Sequence, residues 1–219
     1  MYKLGPSLMC ADLGNLESQI TELDKAGVDF YHIDIMDGNF VPNFTLGPDF
    51  VRTVRKLTDK PLDIHLMVNK PENYIELFAD CGADMISVHE EATAHLQSSL
   101  TKIKSLGIRA GVAINPATSL DFLKYVYNVT DYVVLMTVNP GFAGQKFIPA
   151  MYDKIAELHA FIQSTGMDIE IQVDGNIGAG TIPKCREAGA SMYVLGTSAV
   201  FNDAGSIQDN VANTRKLFN

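Results

Sequence analysis

The chain has 219 residues, 47% of them hydrophobic and 20% charged, with a formal net charge of -9. Those proportions belong to a folded chain with a sizeable core and exclude disorder, while the acidic balance argues against nucleic acid or an anionic membrane as partner. Cys10, Cys81 and Cys185 form no C-x-x-C pair and no apolar run reaches the length of a signal peptide or a spanning helix, so a disulfide framework is not expected and a cytoplasmic location is.

Leu4 to Met9 is a short apolar run ending at Cys10; Asp12 then offers a helix cap, and Leu16, Ile20 and Leu23 recur at helical spacing until Gly27. Phe30 to Ile35 reads as a second strand, Asn39 to Gly47 as a long loop, and Phe50, Val51, Val54 and Leu57 as one helix face. Leu62 to Met67 is a third strand, followed by a helix opening at Pro71 and closing at Gly82. The alternation continues with Met85 to Val88 and Ala92 to Leu106, Ile108 to Ile114 and Ser119 to Tyr127, Tyr132 to Met136 and Ile148 to Thr165. Ile169 to Val173 with Ala179 to Ala188, and Met192 to Leu195 with Ile207 to Leu217, complete eight strand–helix pairs. Eight such units with right-handed crossovers predict an α/β fold, a (β/α)8 TIM barrel of parallel strands spanning 1–219 as one catalytic domain. An open doubly wound sheet is the alternative, but no strand here runs into G-x-G-x-x-G.

On the second strand His32, Asp34 and Met36 alternate with Ile33 and Ile35, so the imidazole and the carboxylate share a face. A carboxylate aimed into an apolar interior needs a partner, and a divalent cation shared with the imidazole is one; a wet surface strand is the other reading of this stretch. Barrel active sites form at the carboxyl ends of the strands. The polar residues falling there are Ser7, His32, Asp34, His65 and Asp174. Two histidines and two aspartates suit zinc, iron, manganese or cobalt better than calcium or magnesium. Simpler readings exist for each, a hydrogen-bonded core histidine for His65 and a helix cap for Asp174. Their conjunction at strand ends favours the metal. His89 also ends a strand, whereas His95 and His159 fall in helical segments and are expected to be solvated.

Glycines gather in the loops after the last three strands, in Asn139 to Gln145, Asp174 to Gly178 and Gly196 to Ser198. In barrels such loops commonly hold a phosphate through backbone N–H groups, which would let an acidic protein bind an anion; tight turns are the plainer explanation of any one of them. Lys146 either assists there or is a solvated charge. Met36, Met67 and Met136 lie beside strand ends, as core filler or as an apolar lid over a reacting carbon.

Laid out in this way, the chain resembles the ribulose-phosphate 3-epimerase family over nearly its whole length. The resemblance rests on Pro6 to Asp12, His32 to Gly38 with Phe40 to Asn43, Leu62 to Met67, Met136 to Gln145, and Val173 to Gly175. It implies a (β/α)8 barrel that binds one divalent metal, uses no organic cofactor, and inverts carbon 3 of a small-molecule ketose phosphate. It implies metal ligands at His32, Asp34, His65 and Asp174, with Asp34 and Asp174 also the acid/base pair. Ser7 and His65 would bind the sugar, and Met36, Met67 and Met136 would line the reacting centre. Gly141, Phe142, Ala143, Gly144, Gly175, Asn176, Gly196 and Thr197 would surround the phosphate. A homo-oligomer is expected. Cys10, Ala143 and Asn176 depart from the usual pentulose-phosphate pattern, and the Ser7 to Cys10 opening and the Gly196 to Asn202 ending look more like the D-allulose-6-phosphate 3-epimerase branch. That likeness favours D-allulose 6-phosphate to D-fructose 6-phosphate over D-ribulose 5-phosphate to D-xylulose 5-phosphate. A metal-dependent sugar-phosphate lyase or decarboxylase is disfavoured, since no strand end carries a lysine. A non-catalytic sugar-phosphate binder would be expected to lose one of the two carboxylates, and both are present.

Overall fold

Period-two alternation along the β-rich runs puts one row of side chains towards a barrel interior and the other towards a helix layer. The computed structural model describes residues 2–218, so Met1 and Asn219, the ends of the expected 1–219 span, lie outside the described residues. The strands are β1 (Lys3–Pro6), β2 (Tyr31–Asp37), β3 (Phe44–Thr45), β4 (Leu62–Met67), β5 (Met85–His89), β6 (Arg109–Ile114), β7 (Tyr132–Met136), β8 (Glu170–Asp174) and β9 (Met192–Leu195). The sheet runs β1-β9-β8-β7-β6-β5-β4-β2-β3, parallel throughout except for β3, which turns back antiparallel on β2. Between β1 and β2 the ring closes through a parallel bridge of Ser7 with His32. Asp29 reinforces the closure, its N–H donating to the Leu4 carbonyl at 2.9 Å and its carboxylate accepting the Leu4 N–H at 2.8 Å. The result is a (β/α)8 barrel, and the one-sheet order rules out the doubly wound alternative.

The helices are α1 (Leu16–Lys25), α2 (Pro48–Leu57), α3 (Ile75–Asp80), α4 (Leu96–Ser105), α5 (Met151–Thr165), α6 (Ile182–Ala188) and α7 (Ile207–Lys216). Their ends follow the local sequence. Pro48 opens α2, with Asp49 in its first turn and Arg55 and Lys56 in its last, each charge complementing the helix dipole. Ser206 caps α7 by accepting the Asp209 N–H.

Two expectations change. The helix expected over Ser119 to Tyr127 is replaced by 3-10 turns at Asp121–Tyr125 and Tyr127–Val129. Its apolar contacts are Leu120, Leu123 and Val126, a spacing of three that matches the tighter turn, and the run Tyr125-Val126-Tyr127 lowers helix propensity. The loop Asn39 to Gly47 contains β3, pairing Thr45 with Met36 and Phe44 with Asp37.

Ile33, Ile64, Ile86, Val112, Val133 and Ile171 face the helices in the main core. Inside the ring a second cluster holds Phe30, Met85, Tyr132 and Met192. Glycines make room for the aromatic rings: a Cβ on Gly5 would lie 2.1 Å from Phe30, and one on Gly111 2.3 Å from Tyr132. At the end of the ring where the strands begin, Glu170 accepts from Lys3 at 2.7 Å and Arg109 at 2.6 Å, joining β8, β1 and β6. Among the described residues no helix is long and apolar enough to cross a membrane.

Candidate active site at the barrel mouth

His32 and Asp34 share the inward face of β2, His65 is the in-register neighbour of Asp34 on β4, and Asp174 ends β8. His32 Nε2 lies 3.3 Å from Asp34 Oδ1 and 3.7 Å from Asp174 Oδ2; His65 Nδ1 lies 3.4 Å and 3.6 Å from the same two oxygens. The four ligand atoms fall within 4.8 Å of one another. Both nitrogens are buried and have no hydrogen-bond partner.

Orphaned ring nitrogens facing carboxylates in a closed interior are costly unless a positive charge joins them. The titration behaviour agrees. Burial opposes charge on His32 and His65, yet the carboxylates facing them raise both above the ordinary imidazole value. Burial likewise opposes charge on Asp34, but the two imidazoles hold it well below the usual carboxylate range. Four ligands at about 2.0–2.2 Å around a tetrahedral ion have edges of roughly 3.3–3.6 Å, close to the His–Asp separations here. The N2O2 donor set therefore fits a divalent transition-metal ion.

His32 is braced from behind. Its Nδ1 lies 2.8 Å from Asp63 Oδ2, so the ring presents Nε2 to the other three groups. Asp63 is itself fully buried, and accepts from Tyr132 Oη and Gln172 Nε2, both at 2.7 Å. Burial alone would raise its pKa; His32, Gln172 and Tyr132 outweigh that and keep it low. None of Asp63, Gln172 or Tyr132 stood out in the sequence. A signal existed, because Asp63-x-His65 and Gln172-x-Asp174 repeat the period-two pattern of His32-x-Asp34.

Above these groups opens a cleft. Ser7, Asp34, Met36, Met67, Met136 and Asp174 form its floor and walls, and Gly141, Phe142, Ala143, Gly144, Gly175, Asn176, Gly196 and Thr197 line it from the three loops. The structure thus gathers the expected residues around one opening, with His32 and His65 beneath its surface at 0% exposure. The Ser7 hydroxyl donates to Asp34 Oδ2 at 2.6 Å. Met36 and Met67 pair in register and pack with Val41, whereas Met136 belongs to the cluster inside the ring. Lys146 is exposed and stands outside the cleft lining. His95 and His159 are exposed as expected, and His89 is fully buried behind His65. Cys10 lines the cleft, but burial and then the nearby Asp34 push its thiol up to about 11, away from a nucleophile's range.

The loop backbones need their glycines. Gly175 has φ +121°, and a Cβ there would lie 2.6 Å from Val138 Cγ2 and 2.9 Å from the Val138 nitrogen. Asn176 adopts φ +54°, a conformation asparagine tolerates, and its Nδ2 donates to the Gln145 carbonyl, tying the loop after β8 to the loop after β7.

Comparison with known proteins bears on this site. A ribulose-phosphate 3-epimerase from Synechocystis sp. is 48% identical over 201 residues, 91% of this chain and 87% of that one. One from Bacillus subtilis is 46% identical over 205 residues, 93% of this chain and 94% of that one. Among solved structures, 3-hexulose-6-phosphate synthase from Salmonella typhimurium superposes with a TM-score of 0.71 at 15% identity, covering 98% of this chain and 97% of that one, a likeness of fold alone. Residues 3–201 match the description of the Ribulose-phosphate 3 epimerase family, and with relatives this similar along the whole barrel, the chain belongs to that family of carbohydrate epimerases.

Proposed function

We propose that the protein is a metal-dependent ketose-phosphate 3-epimerase that interconverts D-ribulose 5-phosphate and D-xylulose 5-phosphate. The observation that carries the chemistry is the cluster of His32, Asp34, His65 and Asp174, with its two orphaned ring nitrogens, beneath a cleft walled by glycine loops. These four residues would hold one divalent cation, which supplies Lewis-acid stabilisation of the negative charge that develops on the substrate's carbon 2 oxygen.

The chain's own residues do the rest. Asp34 and Asp174 come from β2 and β8, with β1 and β9 between them around the ring, so the two carboxylates approach a flat substrate from different sides. One takes the carbon 3 proton while the C–H electron pair moves into the carbon 2 carbonyl to give a planar enediolate. The other returns a proton to the opposite face, and the roles exchange in the reverse direction. Ser7 orients Asp34 through its hydrogen bond, and Met36, Met67 and Met136 keep water from the reacting carbon. Backbone N–H groups of Gly141 to Gly144, Gly175, Asn176, Gly196 and Thr197 hold the phosphate.

The choice of pentulose rests on the relatives, which are named ribulose-phosphate 3-epimerases at 46% and 48% identity. They give no support to the hexulose preference expected from the sequence. A second reading, D-allulose 6-phosphate, keeps one specific observation: the side chains of Cys10, Ala143 and Asn176 all border the cleft, and the Asn176 contact to Gln145 is one that glycine could not make. One extra hydroxymethylene changes binding by ~1–3 kcal/mol, so both substrates should turn over. Measurement of kcat/KM for both, with the same metal and with deuterium incorporation at carbon 3, tests the assignment. We expect exchange with both and a preference for the pentulose phosphate. A preference for the hexulose phosphate would move the assignment to the second reading, and absence of exchange would overturn the epimerase reaction.

A further inference from the structure

The two histidines of the cluster are braced differently. His32 leans directly on a carboxylate, Asp63, whereas His65 leans on another imidazole: its Nε2 lies 2.9 Å from Nε2 of His89, with the rings 5.0 Å apart and 18° from parallel. A contact between two ring nitrogens needs one proton, and its owner decides which nitrogen of His65 is free. The rest of the chain of contacts identifies the owner. His89 Nδ1 lies 3.0 Å from Glu91 Oε2, and Glu91 Oε1 accepts the Asn115 N–H at 2.8 Å and the Thr118 hydroxyl. Glu91 Oε1 already takes two donors, and the carboxylate has only lone pairs to offer at Oε2, so that contact needs a proton on His89 Nδ1. The His89 ring is fully buried and also packs on Phe40 at 4.7 Å, and a neutral His65 that offers Nδ1 to a cation carries its proton on Nε2 and needs His89 Nε2 as the acceptor. The shared proton then belongs to His65 Nε2. His65 Nδ1 is left as a lone pair aimed between Asp34 and Asp174, where it has no hydrogen-bond partner.

We propose that His89 and Glu91 are positioning residues that lock the proton of His65 on Nε2, and so keep its Nδ1 lone pair presented to the cation. This rests on the metal reading of the cluster given above. The relay begins outside the barrel: Lys154 on α5 donates to the carbonyls of Asn115, Pro116 and Thr118, fixing the loop whose Asn115 N–H and Thr118 hydroxyl hold Glu91. A set of hydrogen bonds therefore runs from the helix layer to the mouth, and each donor in it has an acceptor.

Zinc alone is the probe, with affinity measured by competition against a chromophoric chelator in the purified protein. His89→Phe keeps the ring and its packing but removes the acceptor for His65 Nε2–H, and its zinc affinity should fall roughly 10- to 100-fold. His89→Gln, whose carbonyl can accept from His65 and whose amide can donate to Glu91, should restore most of that loss. Thr118→Val removes one of the two donors on Glu91 Oε1 and leaves the Asn115 N–H in place, so it should weaken zinc binding by less than His89→Phe does. Should His89→Phe match the wild type, or Thr118→Val lose more than His89→Phe, the relay is overturned. Long-range 1H–15N spectra of the zinc-loaded wild type make the test independent of variant folding: we expect His89 protonated on Nδ1 and bare on Nε2, and a proton on His89 Nε2 overturns the proposal. Failure of the wild type to bind one zinc would remove the metal reading and this inference together, whereas normal zinc binding with the wrong tautomer removes this inference alone.

Discussion

Asp34 and Asp174 present similar oxygens to the two imidazoles but live in different surroundings. The Asp34 side chain is 5% exposed with Ser7 on its second oxygen, and that of Asp174 is 16% exposed at the lip of the cleft. An asparagine at position 174 keeps shape and polarity but cannot carry a proton back and forth. Asp174→Asn should therefore fold and melt near the wild-type temperature while losing at least ~10²-fold in kcat in both directions. Turnover within a few-fold of the wild type in metal-loaded variant would sink the acid/base role. At this scale the sequence was informative wherever a polar residue interrupted an apolar run near a strand's end, as His65 and Asp174 do. It was silent about Asp63 and Gln172, two residues earlier on the same strands, because a polar residue near a strand's start also reads as solvated. Only the closed ring, which brings β2, β4, β7 and β8 around one axis, turns those side chains into the support of His32.

Elements place these residues through backbone constraints that a side-chain pattern reveals only in part. The glycine loops were visible as composition, but the need for Gly175 comes from its left-handed backbone and from Val138 against its missing Cβ. Gly175→Ala should destabilise the fold by at least about 1 kcal/mol, and by moving the loop it should raise KM for a sugar phosphate more than it lowers kcat. An alanine variant with unchanged KM and melting temperature would remove both the strain and the phosphate role from this loop. The hairpin β3 escaped the sequence reading because its pairing involves two residues a strand, within a stretch rich in turn formers. Its effect is local to the site, since Thr45 donates to the Asp34 carbonyl at 2.7 Å and so fixes the backbone from which that carboxylate projects. The segment Ser119 to Tyr127 failed as a helix for the opposite reason: the apolar residues are there, but at a spacing of three.

Over the whole molecule the barrel separates stability from chemistry along its axis, with the Lys3–Glu170–Arg109 cluster at one end and the His/Asp cluster at the other. The alternation of eight strand and helix runs made this architecture legible, because parallel strands joined by helices close most naturally at that number. Register was not legible, since it is set by contacts between residues far apart in sequence, such as Ser7 with His32. Burial would raise the Glu170 carboxyl, but hydrogen bonds from Lys3 and Arg109 outweigh it and lower its pKa. A carboxyl depressed in the folded state contributes stability above its unfolded value, about 4.3, and loses it as pH falls through the lower folded value. Glu170→Gln should thus cost about 1 kcal/mol or less at pH 7, since all three groups are partly exposed, and the gap from the wild type should narrow in denaturant titrations as the pH falls below the unfolded value, with kcat at pH 7 unaffected. The opposite end should respond to metal instead. A cation held by β2, β4 and β8 binds the folded barrel and not the open chain, so at 100 times its dissociation constant it adds about 2.7 kcal/mol of stability. For a chain of this length that is a rise of roughly 5–10 °C in Tm. Chelation should abolish turnover and lower Tm by that amount, and one equivalent of zinc, manganese, cobalt or ferrous iron should restore both. His65→Ala should remove most of the metal-dependent Tm shift. If exhaustively metal-free protein turns over normally and melts where the loaded protein does, His32, Asp34, His65 and Asp174 are not a metal centre.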